Sequence, residues 1–275
     1  MDLWRWQIRD RKLRFERPLI VGILNLTPDS FHAKSRCESP EGALKRARKL
    51  LAEGASILDL GAESTRPGAY AVSEERELKR LIPALRKIRE ALPDVPLSID
   101  TRRAAVAMEA LKEGAHIIND VSSLSDPLMP EVAARYGCGL ILTHAPKELA
   151  SGEDRNVGIE EIRNFLRERT AFASSYGIMR EAVVWDPGLG FGKTVNCNWQ
   201  IIQDLEVLTG DNIVMCAASR KRFTREDPAL PEGPDNPGLK GTIKANLLAV
   251  ANGAALVRVH DVEANFQALR GEKYV

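Results

Sequence analysis

The sequence has little that would build a metal centre, a disulfide framework or a membrane anchor. Its four cysteines are scattered without a C-x-x-C pair, and no zinc-binding pattern occurs. We expect the cysteines to be buried, reduced thiols in a cytoplasmic protein. The amino-terminal stretch MDLWRWQIRDRKLRFERP is studded with charges and has no apolar core, so we expect neither a signal peptide nor a membrane anchor.

An excess of charge of one sign is also missing. The 39 basic and 38 acidic residues leave a net charge of +1, so we expect neither nucleic acid nor a membrane as a partner. Any anion must therefore be bound by a local cluster. The Pro- and Gly-rich stretch 225–240 is the one candidate linker, and it is better explained as a long loop between strand and helix. We expect a single domain over residues 1–275.

What the sequence does contain is eight short apolar, β-branched runs, recurring about every 35 residues with helix-like stretches in most gaps. Each run stops at polar residues of catalytic types. These are Asn25, Asp59 with Glu63, Asp100, Asn119, His144, Asp186, Ser219 with Lys221, and Arg258 with His260. The layout predicts a (β/α)8 TIM barrel, an α/β fold whose chemistry lies at the carboxyl ends of the strands.

Local signals predict where individual elements begin and end. The alternation in LWRWQI and LRF predicts a β-hairpin within residues 1–18, turning at residues 10–12 and closing the bottom of the barrel. Ser39 and Ser73 are predicted helix N-caps, and the third helix is predicted over residues 101–114. The glycine in AEGAS, KEGAH and ANGAA is expected to end a helix in the left-handed conformation.

The segment DPGLGFGKT, residues 186–194, resembles a phosphate-binding loop but matches neither template. A Walker A loop needs glycine in place of Pro187, and a Rossmann fingerprint needs glycine in place of Lys193. The glycines more plausibly let the backbone approach a flat ligand, with Phe191 as a stacking wall.

Asp100 and Asp186 each end an apolar run, so both are expected to be partly desolvated. Each could simply pair with a neighbouring Arg or Lys. Together with Asn119, they could instead accept hydrogen bonds from a heterocycle with an amidine-like edge, at roughly 1.5–3 kcal/mol per charge-assisted contact. Lys221, in the SRK triplet, could bond a carbonyl oxygen and stabilise negative charge.

Arg258 and His260 alternate on the last strand and so point the same way. With Asn25 and Arg66 they form a candidate diphosphate cradle, in which the neutral oxygen of Asn25 suits Mg²⁺. The plainer alternative is a surface arginine and a core histidine. His116 and His144 have no partner at metal-ligand spacing and are expected to be structural.

Six segments carry a resemblance to a known family. They are GILNLTPDSF, DLGAESTRPGA, SIDTRRAAVAMEALKEGAHIINDVS, WDPGLGFGKT, SRKRF and GAALVRVHDV. From about residue 20 to residue 262 they resemble the signature segments of dihydropteroate synthases, in the same order. The resemblance implies a pterin-binding TIM-barrel transferase of folate biosynthesis. Such an enzyme condenses 6-hydroxymethyl-7,8-dihydropterin diphosphate with p-aminobenzoate to 7,8-dihydropteroate and diphosphate, with Mg²⁺.

The resemblance also implies roles for single residues. It places Asp100, Asn119, Asp186 and Lys221 at the pterin, with Asp100, Asp186 and Lys221 as catalytic residues. The p-aminobenzoate site would be formed by Thr65, Arg66, Pro67, Phe191, Ser219 and Arg222. The diphosphate would be bound by Asn25, Arg66, Arg258 and His260, with Asn25 also holding Mg²⁺. A cytoplasmic homodimer, joined through late helices that include Leu247, Leu248 and Val250, and competition by sulfonamides are further expectations.

The chemistry agrees with the absence of a Ser/His/Asp or Cys/His arrangement. A reduced pterin can stabilise a cation at its exocyclic methylene, so the diphosphate can leave before the arylamine attacks, and no nucleophilic residue is needed. The family usually has Ser-Asp-Gly-Gly where residues 32–35 read HAKS, Met-His-Met where 143–145 read THA, and glycine at Ala62, Ser123 and Ala217. Two alternatives stay open: a catalytically altered pterin-binding protein and a pterin-dependent methyltransferase.

Overall fold

Eight parallel strands close into a barrel, preceded by a separate two-stranded antiparallel sheet. The computed structural model describes residues 3–26, 39–63, 72–146, 154–226 and 238–271. The hairpin strands are β1 (Trp4–Ile8) and β2 (Arg11–Phe15). The barrel strands are β3 (Leu19–Asn25), β4 (Ile57–Gly61), β5 (Leu97–Asp100), β6 (Ile117–Asp120), β7 (Gly139–Thr143), β8 (Val183–Asp186), β9 (Ile213–Cys216) and β10 (Leu256–Val259). They follow one another around the barrel in chain order, and β10 pairs with β3 to close it.

Every barrel strand is followed by at least one helix. The helices are α1 (Pro40–Ala52), α2 (Glu74–Ala91), α3 (Ala104–Lys112), α4 (Met129–Tyr136), α5 (Ile159–Ser175), α6 (Val195–Gln203), α7 (Glu206–Thr209), α8 (Arg222–Arg225), α9 (Leu239–Ala251) and α10 (Val262–Leu269). A short 3-10 helix, Arg180–Ala182, leads into β8. The eight predicted runs are thus eight barrel strands, and the predicted TIM barrel with an amino-terminal hairpin is confirmed.

Helix starts follow the predicted capping, with one correction. The Ser39 hydroxyl accepts from Gly42 N at 3.1 Å, and the α2 N-cap Ser73 does the same from Arg76 N. The third helix begins at Ala104 rather than at residue 101, and ends at residue 112. Its first amide donates to the Asp126 carboxylate at 2.8 Å, so a side chain from the loop after β6 caps this helix. A cap from a distant loop leaves no signal near the helix itself.

The hairpin packs into the amino end of the barrel. Trp6 and Ile8 are fully buried among the first inward-facing residues of the barrel strands. The Trp6 indole N–H donates to the carbonyl of Ala182 at 2.9 Å. The turn lies at residues 9–10 rather than 10–12, because Arg9 adopts a left-handed conformation (φ 54°) in which its guanidinium donates to carbonyls at the end of α3.

The barrel interior has an apolar lower layer and a polar upper layer. The lower layer includes one residue from each of seven strands: Val21, Ile57, Ile117, Ile141, Val184, Met215 and Leu256. Residues two or four positions further along face the same way, because side chains alternate along a strand. At the carboxyl ends, on or just past the strands, these inward positions carry Asn25, Asp59, Asn119, Thr143, Asp186, Ser219, Arg258 and His260. The fold therefore gathers polar side chains at one mouth.

Within the described part of the chain, no helix combines the length and the apolar character needed to cross a membrane.

Candidate active site

Strand register brings the predicted site residues side by side. Asp100 at the end of β5 lies opposite Asn119 of β6, and Thr143 at the end of β7 lies opposite Asp186 of β8. On the other side, Asn25 and Asp100 flank Gly61, where an added Cβ would lie 3.9 Å from Asn25 Oδ1 and 3.8 Å from Asp100 Oδ2.

A buried ion network forms the floor of the mouth. Arg258 donates from Nε to Asp59 and from Nη2 to Asp100, both at 2.6 Å. Asp59, which is fully buried, also accepts from the Ser98 hydroxyl at 2.6 Å and from Asn119 Nδ2 at 3.3 Å. Two nitrogens of Arg258 therefore already bond to carboxylates. The arginine that was expected to bind an anion is thus also the shared partner of Asp59 and Asp100.

Burial and neighbouring charges shift the pKa values of Asp100 and Arg258 in this network. Desolvation raises the pKa of Asp100 above its ordinary value, and the nearby Asp59 charge adds to the rise, while Arg258 opposes it. The two carboxylates in turn raise the pKa of Arg258 against its own burial. The guanidinium thus stays charged and holds Asp59 and Asp100 in place.

Seven buried side-chain polar atoms in the described residues have no hydrogen-bond partner, and three of them lie on neighbouring strands at the mouth. These three are Asp100 Oδ1, Asn119 Oδ1 and Thr143 Oγ1. Leaving such an atom unpaired costs about 1–3 kcal/mol. A ligand that presents several N–H groups along one edge would satisfy them. Thr143 is a position that the sequence did not indicate.

Asp186 and Lys221 both bond to the backbone of the loop that follows β8. Asp186 Oδ1 accepts from Gly188 N at 2.8 Å, and burial raises the pKa of this carboxyl. Lys221 donates to the carbonyl of Leu189, and its Nζ lies 4.5 Å from the ring centroid of Phe191. Burial lowers the pKa of Lys221 to about 8, against the opposing charge of Asp186. The carbonyl that Lys221 bonds here is a backbone one, so its predicted bond to a ligand carbonyl stays a prediction, as does stacking of a ligand on Phe191.

Lys193 has a structural place in the glycine-rich loop. Its Nζ is buried and donates to the carbonyls of His144, Gly188 and Phe191 at 3.1, 2.8 and 3.3 Å. Burial lowers the pKa of this ammonium to about 7. The glycines at 188, 190 and 192 all have positive φ, which lets the backbone wrap around the lysine. The loop therefore folds on its own lysine instead of presenting it to a phosphate.

On the β9–β10 side of the mouth, Ser219 contacts His260. Ser219 Oγ lies 3.0 Å from His260 Nδ1 and accepts from His260 N at 3.1 Å. Arg222 is exposed and forms an ion pair with Asp154 on the rim. The predicted residues Thr65, Arg66 and Pro67, and the divergent stretch 32–35, lie outside the described residues.

The two histidines expected to be structural lie away from the mouth. His144 directly follows β7, and its side chain points away from the barrel interior. Its ring packs edge-on against Phe165 of α5, with ring centroids 5.0 Å apart. His116 precedes β6 and accepts from Leu97 N through Nδ1 at 3.2 Å. The described residues contain no cluster of three or more His, Cys, Asp or Glu that could hold a metal ion.

The divergent residue Ser123 lies in a turn that explains why glycine is usual there. Its φ is +50°, in the left-handed region, and Leu124 follows at +65°. The Ser123 hydroxyl donates to the carbonyl of Thr143 at 2.7 Å, and Asp120 accepts from Leu124 N at 2.7 Å. These bonds hold the turn without glycine.

Sequence reasoning missed the role of Asp59 and Thr143. In the sequence Asp59 is the polar end of an apolar run, and no neighbouring residue indicates its partner. The alternation that places Arg258 inward also places Asp59 inward, two residues after Ile57. That signal was present in the sequence.

Comparisons with known proteins agree with this geometry. Residues 21–260 match the model of the family described as pterin binding enzyme. The chain is 39% identical over 250 residues to the dihydropteroate synthase of Bacillus subtilis, covering 90% of this chain and 85% of that one. The dihydropteroate synthase of Xanthomonas albilineans, solved with 4-aminobenzoic acid, superposes with a TM-score of 0.86 at 37% identity, covering 97% of both chains.

A third relative extends the comparison to a product complex. The dihydropteroate synthase of Burkholderia cenocepacia, complexed with 7,8-dihydropteroate, superposes with a TM-score of 0.85 at 34% identity, covering 98% of this chain and 96% of that chain. The chain belongs to the pterin binding enzymes, and within them to the dihydropteroate synthases, which are transferases.

Proposed function

We propose that the chain condenses 6-hydroxymethyl-7,8-dihydropterin diphosphate with p-aminobenzoate, forming 7,8-dihydropteroate and diphosphate for folate biosynthesis. The observation that carries the proposal is the row of unpaired acceptors on β5, β6 and β7 beside the half-buried Lys221. A pterin presents a 2-amino group and ring N–H groups on one edge and a carbonyl oxygen beside them. The family membership supports the same activity.

In this proposal the pterin lies over Asp100, Asn119, Asp186 and Lys221. The carboxylates and the Asn119 amide oxygen accept from the N–H groups of the pterin. Lys221 exchanges its bond to the Leu189 carbonyl for the pterin carbonyl. Asp59 acts indirectly, by holding Arg258 and Asn119 in place.

The diphosphate is proposed to bind at Asn25, Arg66, Arg258 and His260. Arg258 has a further nitrogen, Nη1, besides the two that contact carboxylates. Asn25 offers one half-buried neutral oxygen, which fits a Mg²⁺ that takes most of its ligands from phosphate and water. Such an ion supplies charge neutralisation at the leaving group, and the chain's own residues orient the diphosphate.

The p-aminobenzoate is proposed to lie against Phe191, with Thr65, Arg66 and Pro67 from the second loop around it. Ser219 and Arg222 would receive its carboxylate, and Arg222 would then exchange Asp154 for the substrate. A sulfonamide has the same aryl-amine shape, so we propose that it competes for this site.

The chemistry of a reduced pterin favours departure of the diphosphate before attack by the amine. The C–O bond to the diphosphate breaks with its electron pair on oxygen, leaving a cation that the reduced pterin delocalises. Asp100 and Asp186 lie at the proposed pterin site as desolvated carboxyls that can stabilise this charge. The arylamine nitrogen then bonds to the methylene carbon and loses a proton to diphosphate or solvent, so no residue has to act as nucleophile.

A cytoplasmic homodimer is the assembly we propose for the enzyme. Leu247 of α9 exposes 41% of its surface, and Leu248 and Val250 are only partly buried on the same helix. These apolar side chains suit a contact between the late helices of two copies.

Calorimetry tests the proposed substrate sites and whether the two substrates bind in a fixed order. We expect pterin diphosphate with Mg²⁺ to bind the free protein, and p-aminobenzoate to bind only once diphosphate or the pterin substrate is present. Lys221→Ala should weaken pterin diphosphate binding at least tenfold, while Lys112→Ala, at an exposed ion pair with Glu109, should not. Absence of pterin binding, or methyl transfer from methyltetrahydrofolate to cobalamin, would overturn the proposal.

A further inference from the structure

Lys193 is a buried charged residue that has no part in the proposed reaction. It lies near the end of the glycine-rich loop, residues 186–194, and is 1% exposed. Its Nζ donates to the carbonyls of His144 at 3.1 Å, Gly188 at 2.8 Å and Phe191 at 3.3 Å. Gly188 and Phe191 belong to the loop itself, whereas His144 directly follows β7. The lysine therefore ties two points of the loop to the end of a neighbouring barrel strand.

The number of hydrogens on this amine matches the number of its acceptors. An ammonium group has three N–H donors and no acceptor, whereas a neutral amine has two donors and a lone pair. Bonds to three carbonyls at once therefore require the charged form. Burial and the like charge of Lys221 lower the pKa of Lys193 to about 7, while the charge of Asp186 opposes this shift. Below that pH the ammonium form predominates and holds all three carbonyls.

The part of the loop between the two bonded carbonyls is the part that touches Lys221. Lys221 donates to the carbonyl of Leu189, and its Nζ lies 4.5 Å from the ring centroid of Phe191. Gly190 lies against the same side chain, because a Cβ there would come within 2.8 Å of Lys221 Cδ. These three successive residues form one face toward Lys221, and Lys193 bonds a carbonyl at each end of that face.

We propose that Lys193 is a positioning residue for Lys221: by bonding Gly188 and Phe191, it fixes the loop surface against which the Lys221 side chain packs. Without the ammonium, both carbonyls lose this donor, and the loop can move away from Lys221. The effect on substrates rests on the proposed function, in which Lys221 binds the pterin and Phe191 lines the p-aminobenzoate site. The order of the loop does not rest on it.

A purely structural role for Lys193 would give a different result. If it only stabilised the fold, its removal would lower the amount of folded protein, and the folded fraction would bind substrates with unchanged affinity. If it positions Lys221, the folded protein itself binds pterin diphosphate more weakly. Calorimetry separates the two, because loss of folded protein lowers the stoichiometry, whereas a displaced Lys221 lowers the affinity.

The first measurement is hydrogen exchange of the loop amides in the protein without ligands, at about pH 6, below the pKa of Lys193. The N–H groups of Gly190 and Phe191 donate to Asn198 Oδ1 at 2.6 Å and to the carbonyl of Gly188 at 3.2 Å. Lys193→Met, of similar length but without a donor, should lower the protection of these two amides about tenfold. Unchanged protection would overturn the proposal whatever the enzyme's activity.

A matched control is Thr170→Val, which removes another buried polar group. The Thr170 hydroxyl accepts from the Trp185 indole at 2.8 Å and donates to the carbonyl of Leu166 at 2.7 Å, so its bonds do not involve the loop. This variant should keep the protection of the loop amides. An equal loss of protection in Thr170→Val would mean that the loop only follows overall stability, which would overturn the proposal.

A second variant keeps the test decisive if Lys193→Met does not fold. Lys193→Gln retains two N–H hydrogens on a slightly shorter side chain. It should lower the protection of the loop amides and the affinity for pterin diphosphate in the same direction as Lys193→Met, by smaller factors. Wild-type protection together with wild-type affinity in this variant would contradict the positioning role.

The second measurement is the affinity for pterin diphosphate with Mg²⁺. Lys193→Met should weaken it about tenfold at unchanged stoichiometry, and Thr170→Val should stay within about twofold of wild type. In a Lys221→Met background, Lys193→Met should add less than about threefold, because it acts through Lys221.

A full tenfold effect in both backgrounds, or a lower stoichiometry at unchanged affinity, would contradict the positioning role. Failure of the wild type to bind pterin diphosphate would instead count against the proposed function, and hydrogen exchange would then decide whether Lys193 orders the loop beside Lys221.

Discussion

At the scale of single residues, buried charge dominates the candidate site. Asp59 and Asp100 are buried and Arg258 is partly buried, and in this network each partner offsets the desolvation of the others. Removing one member leaves an uncompensated charge in the barrel. This makes the network a constraint on stability as well as on binding.

Asp59→Ala tests that constraint. We expect it to lower the free energy of unfolding by about 3 kcal/mol, because Arg258 loses one of two carboxylates and Ser98 and Asn119 lose an acceptor. Urea unfolding measures the change. Glu109→Ala removes one partner of an exposed ion pair and should change stability by less than about 0.5 kcal/mol. If Asp59→Ala and Glu109→Ala changed the free energy of unfolding equally, Asp59 would not be a buried, paired carboxylate.

Residue-level prediction from sequence succeeded where strand alternation decides the answer. Asp100, Asn119, Asp186 and Arg258 follow apolar runs on the inward face, and the structure brings them together. The same parity explains His144, which falls on the outward face and packs against Phe165. The sequence does not predict the partner of Ser219 or the wrapping of the glycine-rich loop around Lys193. Both depend on which loops meet in the folded protein, and spacing along the chain does not determine this.

At the scale of elements, the amino-terminal hairpin completes the barrel core. Gly139, the first residue of β7, leaves room for the hairpin because it has no side chain. A Cβ at this position would lie 2.6 Å from Ile8 and 3.2 Å from Trp6. The existence of the hairpin followed from apolar alternation. The position of its turn did not, because the left-handed Arg9 is fixed by bonds to α3. The start of α3 depends likewise on Asp126 from the neighbouring loop.

Trp6→Ala should destabilise the protein by about 3–5 kcal/mol, because it opens a cavity at the amino end and leaves the Ala182 carbonyl without its donor. Chemical unfolding followed by circular dichroism measures this. Trp4→Ala is the matched control, since Trp4 is partly exposed and packs on Phe15. A Trp6→Ala protein no less stable than Trp4→Ala would mean that the hairpin does not contribute to the core.

At the scale of the whole molecule, two buried histidines link stability to pH. Burial lowers the pKa of His144 to about 3 and that of His116 to about 4, from an ordinary 6.5. The unfolded chain therefore binds more protons than the folded one between these values. The stability that these histidines contribute is complete above about pH 6.5 and is lost as the pH falls toward the folded-state values.

We accordingly expect the contribution of each histidine to the free energy of unfolding to fall between pH 7 and pH 5, by up to about 1.4 kcal/mol per pH unit, while the raised pKa of Asp100 acts in the opposite direction. His144→Leu should flatten this dependence, because leucine does not titrate and fills a similar volume against Phe165. Urea unfolding midpoints measured between pH 7 and pH 5 give the pH dependence of stability. His116 still titrates in His144→Leu, so part of the dependence should remain. An unchanged slope in His144→Leu would show that His144 is protonated in the folded protein.

Product formation is the direct test of whether the protein is a dihydropteroate synthase in activity as well as in family. Pterin diphosphate, p-aminobenzoate and Mg²⁺ are incubated with the protein, and 7,8-dihydropteroate is measured by coupling to its reduction, beside a Lys221→Ala control. We expect the wild type to form dihydropteroate and Lys221→Ala to lose at least about a hundredfold in kcat/KM. Binding of both substrates with no dihydropteroate formed would contradict this expectation.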